Sequence, residues 1–363
     1  MIPIYKPSLT GNEKRYVNEC VDTGWISSKG EFVGRFEKEF SDYTGMKHAT
    51  SVCNGTVALH LALETLGVGR GDEVIVPTLT YIASVNTILQ VGAKPVYVDS
   101  LPDTWQMDPE QIEQKISPRT KAVMAVHLYG QACDMAAICK ICEGHKLLLI
   151  EDCAEALGTR FNGRHVGTFG DASTFSFFGN KTITTGEGGM VGFKEIRNWE
   201  RAAHLKNQGV SKYREYWHDA PAFNYRMTNI CAAIGLAQLE QVEQFLQKKR
   251  AIAQFYARGF KGLPVRLHEE QEGTSHSFWM CSITVETENT RTDLRKHLSG
   301  LGVETRPTFP LCGDMEHCKD QKPYPVARRI SDTGLNLPSF PALRNSEIER
   351  IIESVHSYFA KQS

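Results

Sequence analysis

The sequence predicts an α/β protein: a mostly parallel sheet with helices on both faces, followed by a smaller α+β domain. Three observations predict it. The runs Glu73-Val-Ile-Val-Pro77, Pro95-Val-Tyr-Val-Asp99, Lys121-Ala-Val-Met-Ala-Val-His127 and Leu147-Leu-Leu-Ile150 are apolar throughout instead of alternating. Such strands are buried on both sides, as in parallel sheets. Helical patterns over 55–66, 82–90, 109–116 and 135–143 separate these runs. The texture then changes. A long helical pattern rich in Ala, Leu, Gln and Lys runs from Thr228 to about Gly259. A strand over Ser277–Val285, a helix over 292–299, a strand over Gly302–Thr305 and a closing helix over 346–359 follow. This places a domain boundary near residue 245, dividing residues 1–245 from 246–363 within a helix that bridges both. The N-terminal segment, with Pro3 and Pro7, is expected to pack back across the two.

Bulk composition narrows the function classes. At 363 residues, 41% hydrophobic and 23% charged, the chain is ordinary for a globular protein. A formal net charge of -1 and a pI near 6.9 give no electrostatic case for nucleic acid or anionic membrane. No apolar run approaches the roughly eighteen residues needed to span a bilayer. The start, Met1-Ile-Pro-Ile-Tyr-Lys-Pro7, has no basic region leading into an apolar stretch, so a cytoplasmic protein is expected. The ten cysteines are scattered, as small hydrophobes in a reducing compartment are. Cys139-Lys-Ile-Cys142 with His145 imitates half a zinc site, but no second pair stands at ligand spacing, and no metal is expected.

Ligands in parallel sheets collect at the carboxyl ends of the strands. Asp99, His127, Glu151 and Asp152 fall at such ends. So does the segment Ser173-Thr-Phe-Ser-Phe-Phe-Gly-Asn-Lys181, a β-prone aromatic run that delivers Lys181 ahead of the glycine cluster 186–189. A lysine and an aspartate at strand ends match the needs of pyridoxal phosphate: the lysine forms a Schiff base, and the aspartate keeps the ring nitrogen protonated. Around this pair, Asn54-Gly55-Thr56 opens a helix whose first amides can hold a phosphate, although plain N-capping explains the segment as well. Ser176 can add a hydroxyl to the same anion. Tyr81 follows a strand at the same sheet edge and can stack on a flat heterocycle. Glu155, one turn beyond Asp152, can reach the ring oxygen or the substrate. Arg226 suits a phosphate or carboxylate, with a structural ion pair as the alternative. Tyr213, Tyr216, Trp217, Phe223 and Tyr225 can line either a pocket or a subunit interface.

Taken together, these segments resemble the fold type I sugar aminotransferases of the DegT/DnrJ/EryC1/StrS family. The resemblance covers nearly the whole chain. It is carried by Trp25-Ile-Ser-Ser-Lys-Gly30, the stretch 77–86, Val126-His-Leu-Tyr-Gly130, Ile150-Glu-Asp-Cys-Ala-Glu-Ala156, the Lys181 segment, the stretch 225–240 and Gly334-Leu-Asn-Leu-Pro-Ser-Phe340. It implies a large domain with a seven-stranded sheet, pyridoxal 5'-phosphate as cofactor, Lys181 as the catalytic lysine and Asp152 as partner of the ring nitrogen. Glu155, Tyr81, Gly55, Thr56 and Ser176 match cofactor contacts. Asn229 matches a residue that reaches the phosphate of a neighbouring subunit, implying a homodimer with shared sites. Trp25, Ser27, Ser28 and Arg226 match substrate contacts. Relatives that remove the sugar's 3-hydroxyl carry histidine in place of this lysine, so Lys181 favours transamination over dehydration, and the intact cofactor set disfavours a non-catalytic regulator. Within the group, the likeness is greatest to members that use L-glutamate to aminate C4 of GDP-4-keto-6-deoxy-D-mannose; a C3 or C4 aminotransferase of a dTDP- or UDP-keto-sugar is the alternative. The run Thr308–Met315 departs from the family pattern where a histidine is usual, and the segment after Met190 is shortened.

Overall fold

The computed structural model describes residues 1–361. Helices α1 (Glu13–Thr23) and α2 (Glu31–Thr44) precede β1 (His48–Val52) and α3 (Gly55–Thr65). Strands and helices then alternate: β2 (Glu73–Pro77), α4 (Ala83–Gln90), β3 (Lys94–Val98), α5 (Pro109–Gln114), β4 (Thr120–Val126), α6 (Met135–His145) and β5 (Leu148–Asp152). The hairpin β6 (Arg160–Phe161) and β7 (Arg164–His165) leads to β8 (Ala172–Ser176), β9 (Gly189–Phe193) and α7 (Ile196–Leu205). Helices α8 (Asn229–Leu239) and α9 (Val242–Gly259) follow. The remainder comprises β10 (Arg266–Leu267), β11 (Thr274–Ser275), β12 (Cys281–Thr284), α10 (Glu288–Gly300), β13 (Arg306–Pro307), α11 (Pro325–Thr333), β14 (Gly334–Leu337) and α12 (Asn345–Ala360).

Side-chain caps set several helix starts. The side chains of Asn54, Asp108, Asp134 and Thr228 accept from backbone amides in the first turns of α3, α5, α6 and α8. The seven-stranded sheet has the order β1-β9-β8-β5-β4-β2-β3. Pairings from β8 across to β3 are parallel, and β9 runs antiparallel to both β8 and β1. The apolar strands are covered on two faces. Val74 and Val76 of β2 pack in one core cluster with Leu59, Leu63, Val85 and Ile88. Ile75 packs in another with Ile112, Met135 and Ile138. Three layers follow from this alternation.

The second sheet, β10-β12-β14-β13, is antiparallel and shares its core with α10 and α12. A short sheet, β11-β6-β7, joins the hairpin to the segment ahead of β12. The N-terminal segment packs back as expected. Ile2 N donates to Gly302 O (2.7 Å), Tyr5 Oη to Lys181 O (2.5 Å), and Gln238 Nε2 to Ser8 O (2.8 Å).

Local structure differs from expectation in three places. The helix expected from Thr228 to Gly259 is two helices, because α1 docks at their junction. Asn12 Nδ2 and Tyr16 Oη donate to the Glu240 carboxylate, each at 2.6 Å, and Gln241 Nε2 donates to Glu13 (3.1 Å). The strand expected over Ser277–Val285 is confined to Cys281–Thr284. Ahead of it, Ser277 N donates to Gly130 O (3.1 Å) and Phe278 takes φ 51°, which turns the chain across the sheet edge. The strand expected over Gly302–Thr305 begins later, at Arg306, while Val303 bridges Ile2. All ten cysteines are free thiols, and among the described residues no helix is long and apolar enough to cross a membrane.

Candidate active site

A cavity of about 500 Å³ opens at the carboxyl ends of β5 and β8. Its lining includes Gly55, Thr56, Tyr81, Ser84, Asp152, Glu155, Ser176, Asn180, Lys181, Trp279 and Phe309. Seven expected residues, from Gly55 through Lys181, are thus gathered from four segments of sequence.

Asp152 is the last residue of β5 and is buried. Ser84 Oγ donates to its Oδ2 (2.7 Å) and Ala154 N to its Oδ1 (3.1 Å). Burial raises its pKa; the Ser84 and Ala154 hydrogen bonds and the Lys181 charge oppose the rise. Glu155 is held by Tyr129 N, which donates to its Oε2 (2.7 Å), and burial pushes its carboxyl up to about 7. Lys181 lies in the turn beyond β8. Burial lowers its pKa, against the charges of Glu155 and Asp152. Its Nζ sits 4.1 Å from the centroid of the Trp279 ring. The peptides on both sides of its α-carbon are anchored: Trp279 Nε1 donates to Asn180 O (2.7 Å), and Tyr5 Oη to Lys181 O.

At the other end of the cavity, α3 presents its first amides. Asn54 Oδ1 takes the N–H of Val57 (3.0 Å), and the helix dipole adds positive potential there. Gly55 is required by close approach: a Cβ there would stand 2.7 Å from Ser176 Cβ and 3.0 Å from Ser176 Oγ. Tyr81 is 57% exposed, with its ring tilted against Phe309 at 5.6 Å, so its aromatic face is free to meet a ligand. The divergent run 308–315 reaches the cavity through Phe309, whose N–H donates to Tyr129 Oη (2.9 Å).

Other candidates stand elsewhere. Asn229 is buried, with Oδ1 accepting from Phe32 N (3.0 Å) and Nδ2 donating to Trp25 O (2.7 Å) and Cys20 Sγ (3.2 Å). It lines a separate cavity of about 390 Å³ with Trp25, Lys29 and Gly30. Ser27 O accepts from Asn229 N (2.7 Å), and Ser28 adjoins it in the same loop. Arg226 binds the side-chain oxygens of Asn224 and Asn207 and has no carboxylate partner among the described residues. Asp99 accepts from Val326 N and Ala327 N at the start of α11, a structural role. Glu151 likewise binds three amides, of Gly167, Phe169 and Gly170, together with His127 Nε2. Cys133 N donates to His127 Nδ1, so Nε2 carries the ring proton toward Glu151.

Sequence reasoning missed Tyr5, Ser84, Trp279 and Phe309 as parts of the site. Ser84 carried a usable signal, since it lies three residues after Tyr81 in the first turn of α4. Phe309 lies in the run 308–315 that departs from the family pattern, while Tyr5 and Trp279 come from remote segments with no local mark.

The chain matches the model of the DegT/DnrJ/EryC1/StrS aminotransferase family over residues 7–356. The GDP-perosamine synthase of Escherichia coli O157:H7 is 52% identical to it over 360 residues, 99% of each chain. The GDP-perosamine synthase of Vibrio cholerae is 51% identical over 364 residues, again 99% of each. Spr1654 from Streptococcus pneumoniae, solved in its PLP form, shares the fold with a TM-score of 0.95 at 29% identity over 99% of both chains. With a matched family model across nearly its whole length and relatives above one-half identity, the chain belongs to the DegT/DnrJ/EryC1/StrS aminotransferase family.

Proposed function

We propose that the chain is a pyridoxal-phosphate-dependent aminotransferase that moves the amino group of L-glutamate to C4 of GDP-4-keto-6-deoxy-D-mannose, giving GDP-perosamine. The observation that carries the chemistry is the meeting of Lys181 and Asp152 in one cavity at the carboxyl ends of adjacent strands. The sugar is supported by the likeness to two GDP-perosamine synthases.

The residues fit the cofactor. Asp152 is a buried carboxylate with no cation at ion-pair distance among the described residues, and a protonated ring nitrogen would satisfy it. Asn180 Oδ1 is buried without a partner on the cavity wall. The close approach of Gly55 and Ser176 leaves the first amides of α3, Thr56 Oγ1 and Ser176 Oγ for a phosphate. Tyr81 would cover the ring face.

When bound, the pyridoxal ring supplies an electron sink for the carbon that carries the amine. The chain's own residues do the rest. The Asp152 carboxylate would hold a proton on the ring nitrogen, with Ser84 Oγ fixing its orientation through Oδ2. Lys181 Nζ is the base: burial lowers its pKa and so raises its neutral fraction, the form able to take a proton from one carbon and return it to another. Glu155 can donate from its carboxyl below about pH 7 and accept above it. Trp279 covers one side of the amine, its ring centroid 4.1 Å from Nζ.

The reading extends to a homodimer in the cytoplasm. Asn229 stands apart from the Lys181 cavity, as a residue serving the phosphate of a second copy must. It also keeps two domains, 1–245 and 246–363. In α9, Phe245 and Leu246 pack with the aromatic core beside the large sheet, and Ile252, Ala253 and Tyr256 pack with the second sheet.

The decisive experiment incubates the protein with glutamate and a panel of GDP-, dTDP- and UDP-linked 4-keto sugars. Turnover confined to the GDP sugar is expected; turnover of a dTDP or UDP sugar alone defeats the substrate assignment. Wild-type protein should show a cofactor band near the visible that is lost in Lys181→Ala. Absence of any bindable cofactor defeats the reaction class.

A further inference from the structure

The opposite end of β8 borders a second concavity with a different character. Ser176, at one end of this strand, lines the Lys181 cavity, and Ala172, at the other, lines a cavity of about 370 Å³. The two ends of a five-residue strand lie roughly 13 Å apart. Four cationic side chains reach the second cavity: Lys47 just before β1, Lys194 just after β9, and Arg160 and Arg164 from the hairpin β6-β7. Among the described residues no aspartate or glutamate lines it.

Charge imbalance of this kind is local. The whole chain carries a formal net charge of -1, and among the described residues fourteen ion pairs join its lysines and arginines to carboxylates. None of those pairs involves Lys47, Arg160, Arg164 or Lys194. Part of the cluster is also held in place. Arg164 lies over the Phe169 ring with its guanidinium carbon 4.2 Å from the centroid, while its Nε donates to Thr168 Oγ1 (2.8 Å) and its Nη2 to Thr168 O. That leaves Nη1 uncommitted. Arg160 donates through Nη1 to Gly163 O (3.1 Å), leaving Nε and Nη2. His165 forms part of the wall; burial pushes it down to about 4, and its Nε2 accepts from Gly158 N (2.9 Å), so it adds no charge at neutral pH.

We propose that this cavity is a second anion site, remote from Lys181, that takes a small molecule bearing a diphosphate. Several cations converging on a confined space suit a compact polyanion, which guanidinium forks bind in two-pronged fashion. Nucleic acid or a membrane surface would call for a broad basic face, and the overall charge offers none. Free pyrophosphate and the diphosphate of a nucleotide present the same chemistry to these side chains.

Calorimetric titration of the cofactor-loaded protein with inorganic pyrophosphate tests the site. Binding that weakens with added salt is expected, together with a loss of affinity of about tenfold or more in R164E/K194E, two exposed positions whose charges reverse. Thr56→Ala, in the Lys181 cavity, should leave pyrophosphate affinity unchanged. Should the charge reversal fail to fold, K47Q/K194Q is expected to lose about threefold. A GDP titration then identifies the source: two GDP sites in wild type with one lost in R164E/K194E assign a nucleotide, and a single retained GDP site assigns free pyrophosphate. Wild type that fails to bind pyrophosphate at about 10 mM overturns the proposal. So does affinity that Thr56→Ala changes and the charge variants do not.

Discussion

Trp279 acts on Lys181 in two ways at once: its Nε1 holds the preceding carbonyl, Asn180 O, at 2.7 Å, and its ring faces Lys181 Nζ at 4.1 Å. The first contact fixes the backbone from which the lysine reaches; the second stabilises the amine's charged form against the burial that disfavours it. Trp279→Phe keeps a ring and removes the N–H, so turnover should fall by about two- to tenfold, the worth of one net hydrogen bond. Trp279→Leu removes both contacts and should lower the pH at which the amine of cofactor-free protein becomes reactive toward an acylating reagent. A midpoint for that labelling in Trp279→Leu equal to wild type would show the ring to be simple packing.

Glu155 gives the cavity a pH dependence of definite sign. Its carboxyl is pushed up to about 7 from an ordinary 4.5, chiefly by burial. Between those values the folded protein keeps a proton that the unfolded chain has lost. The group's stability contribution is therefore complete below about pH 4.5 and is lost as pH rises through about 7. In cofactor-free protein Glu155→Gln should remove this decline, on the order of 1–3 kcal/mol between pH 5 and 8. Urea melts of both proteins at the two pH values measure it, and parallel curves would refute the assignment. In the loaded enzyme the same variant should lose any rate limb near pH 7.

Gly55 and Ser176 form a matched pair across the anion end of the site. A methyl on Gly55 would meet Ser176 Cβ at 2.7 Å, closer than side-chain carbons pack, so one element must shift. Gly55→Ala should raise the dissociation constant for pyridoxal phosphate by about tenfold or more, at a stability cost of about 1–3 kcal/mol. Ser176→Gly removes the opposing carbon, so the double variant should recover stability relative to Gly55→Ala while the hydroxyl's share of cofactor affinity stays lost. A double variant no more stable than Gly55→Ala would place the strain elsewhere.

The divide between what was legible in the sequence and what was not follows sequence separation. Lys181 and Asp152 could be found because Asp152 ends a strand and Lys181 lies just beyond one, each strand visible as a β-prone run in one dimension, and parallel topology brings strand ends together. Gly55 and Thr56 open a helix after β1, which is also a local pattern. Trp279 could not be placed that way. It looked like the middle of a strand, and only the positive φ of Phe278 and the bond from Ser277 N to Gly130 O turn that stretch over the cavity. Tyr5 reaches Lys181 O across 176 residues, a contact that no local pattern encodes. The break between α8 and α9 was hidden for a related reason, because no glycine or proline marks it and the docking of α1 produces it.

Lys249 lies beneath this arrangement as a fully buried cation that donates to Ser339 O (2.7 Å) and Ser339 Oγ (3.2 Å) and lies 5.2 Å from the Tyr5 ring centroid. No carboxylate among the described residues balances it, and burial pushes it down to about 8 from the usual 10.5. From about pH 8 to 10.5 the unfolded chain retains a proton that the folded protein has released. The burial of Lys249 therefore costs stability below about 8, and the cost is relieved as pH rises through that window. Lys249→Met fills similar space without the charge and should abolish the relief, although it leaves Ser339 O without its donor. Other groups titrate in the same range, so the readout is the difference between the two proteins. From pH 7.5 to 9.5, wild type should gain on the order of 1–2 kcal/mol relative to the variant in denaturant melts. An unchanged difference at both pH values would mean that water or a counter-charge reaches Lys249, and that Tyr5 is not held against a bare cation when it donates to Lys181 O.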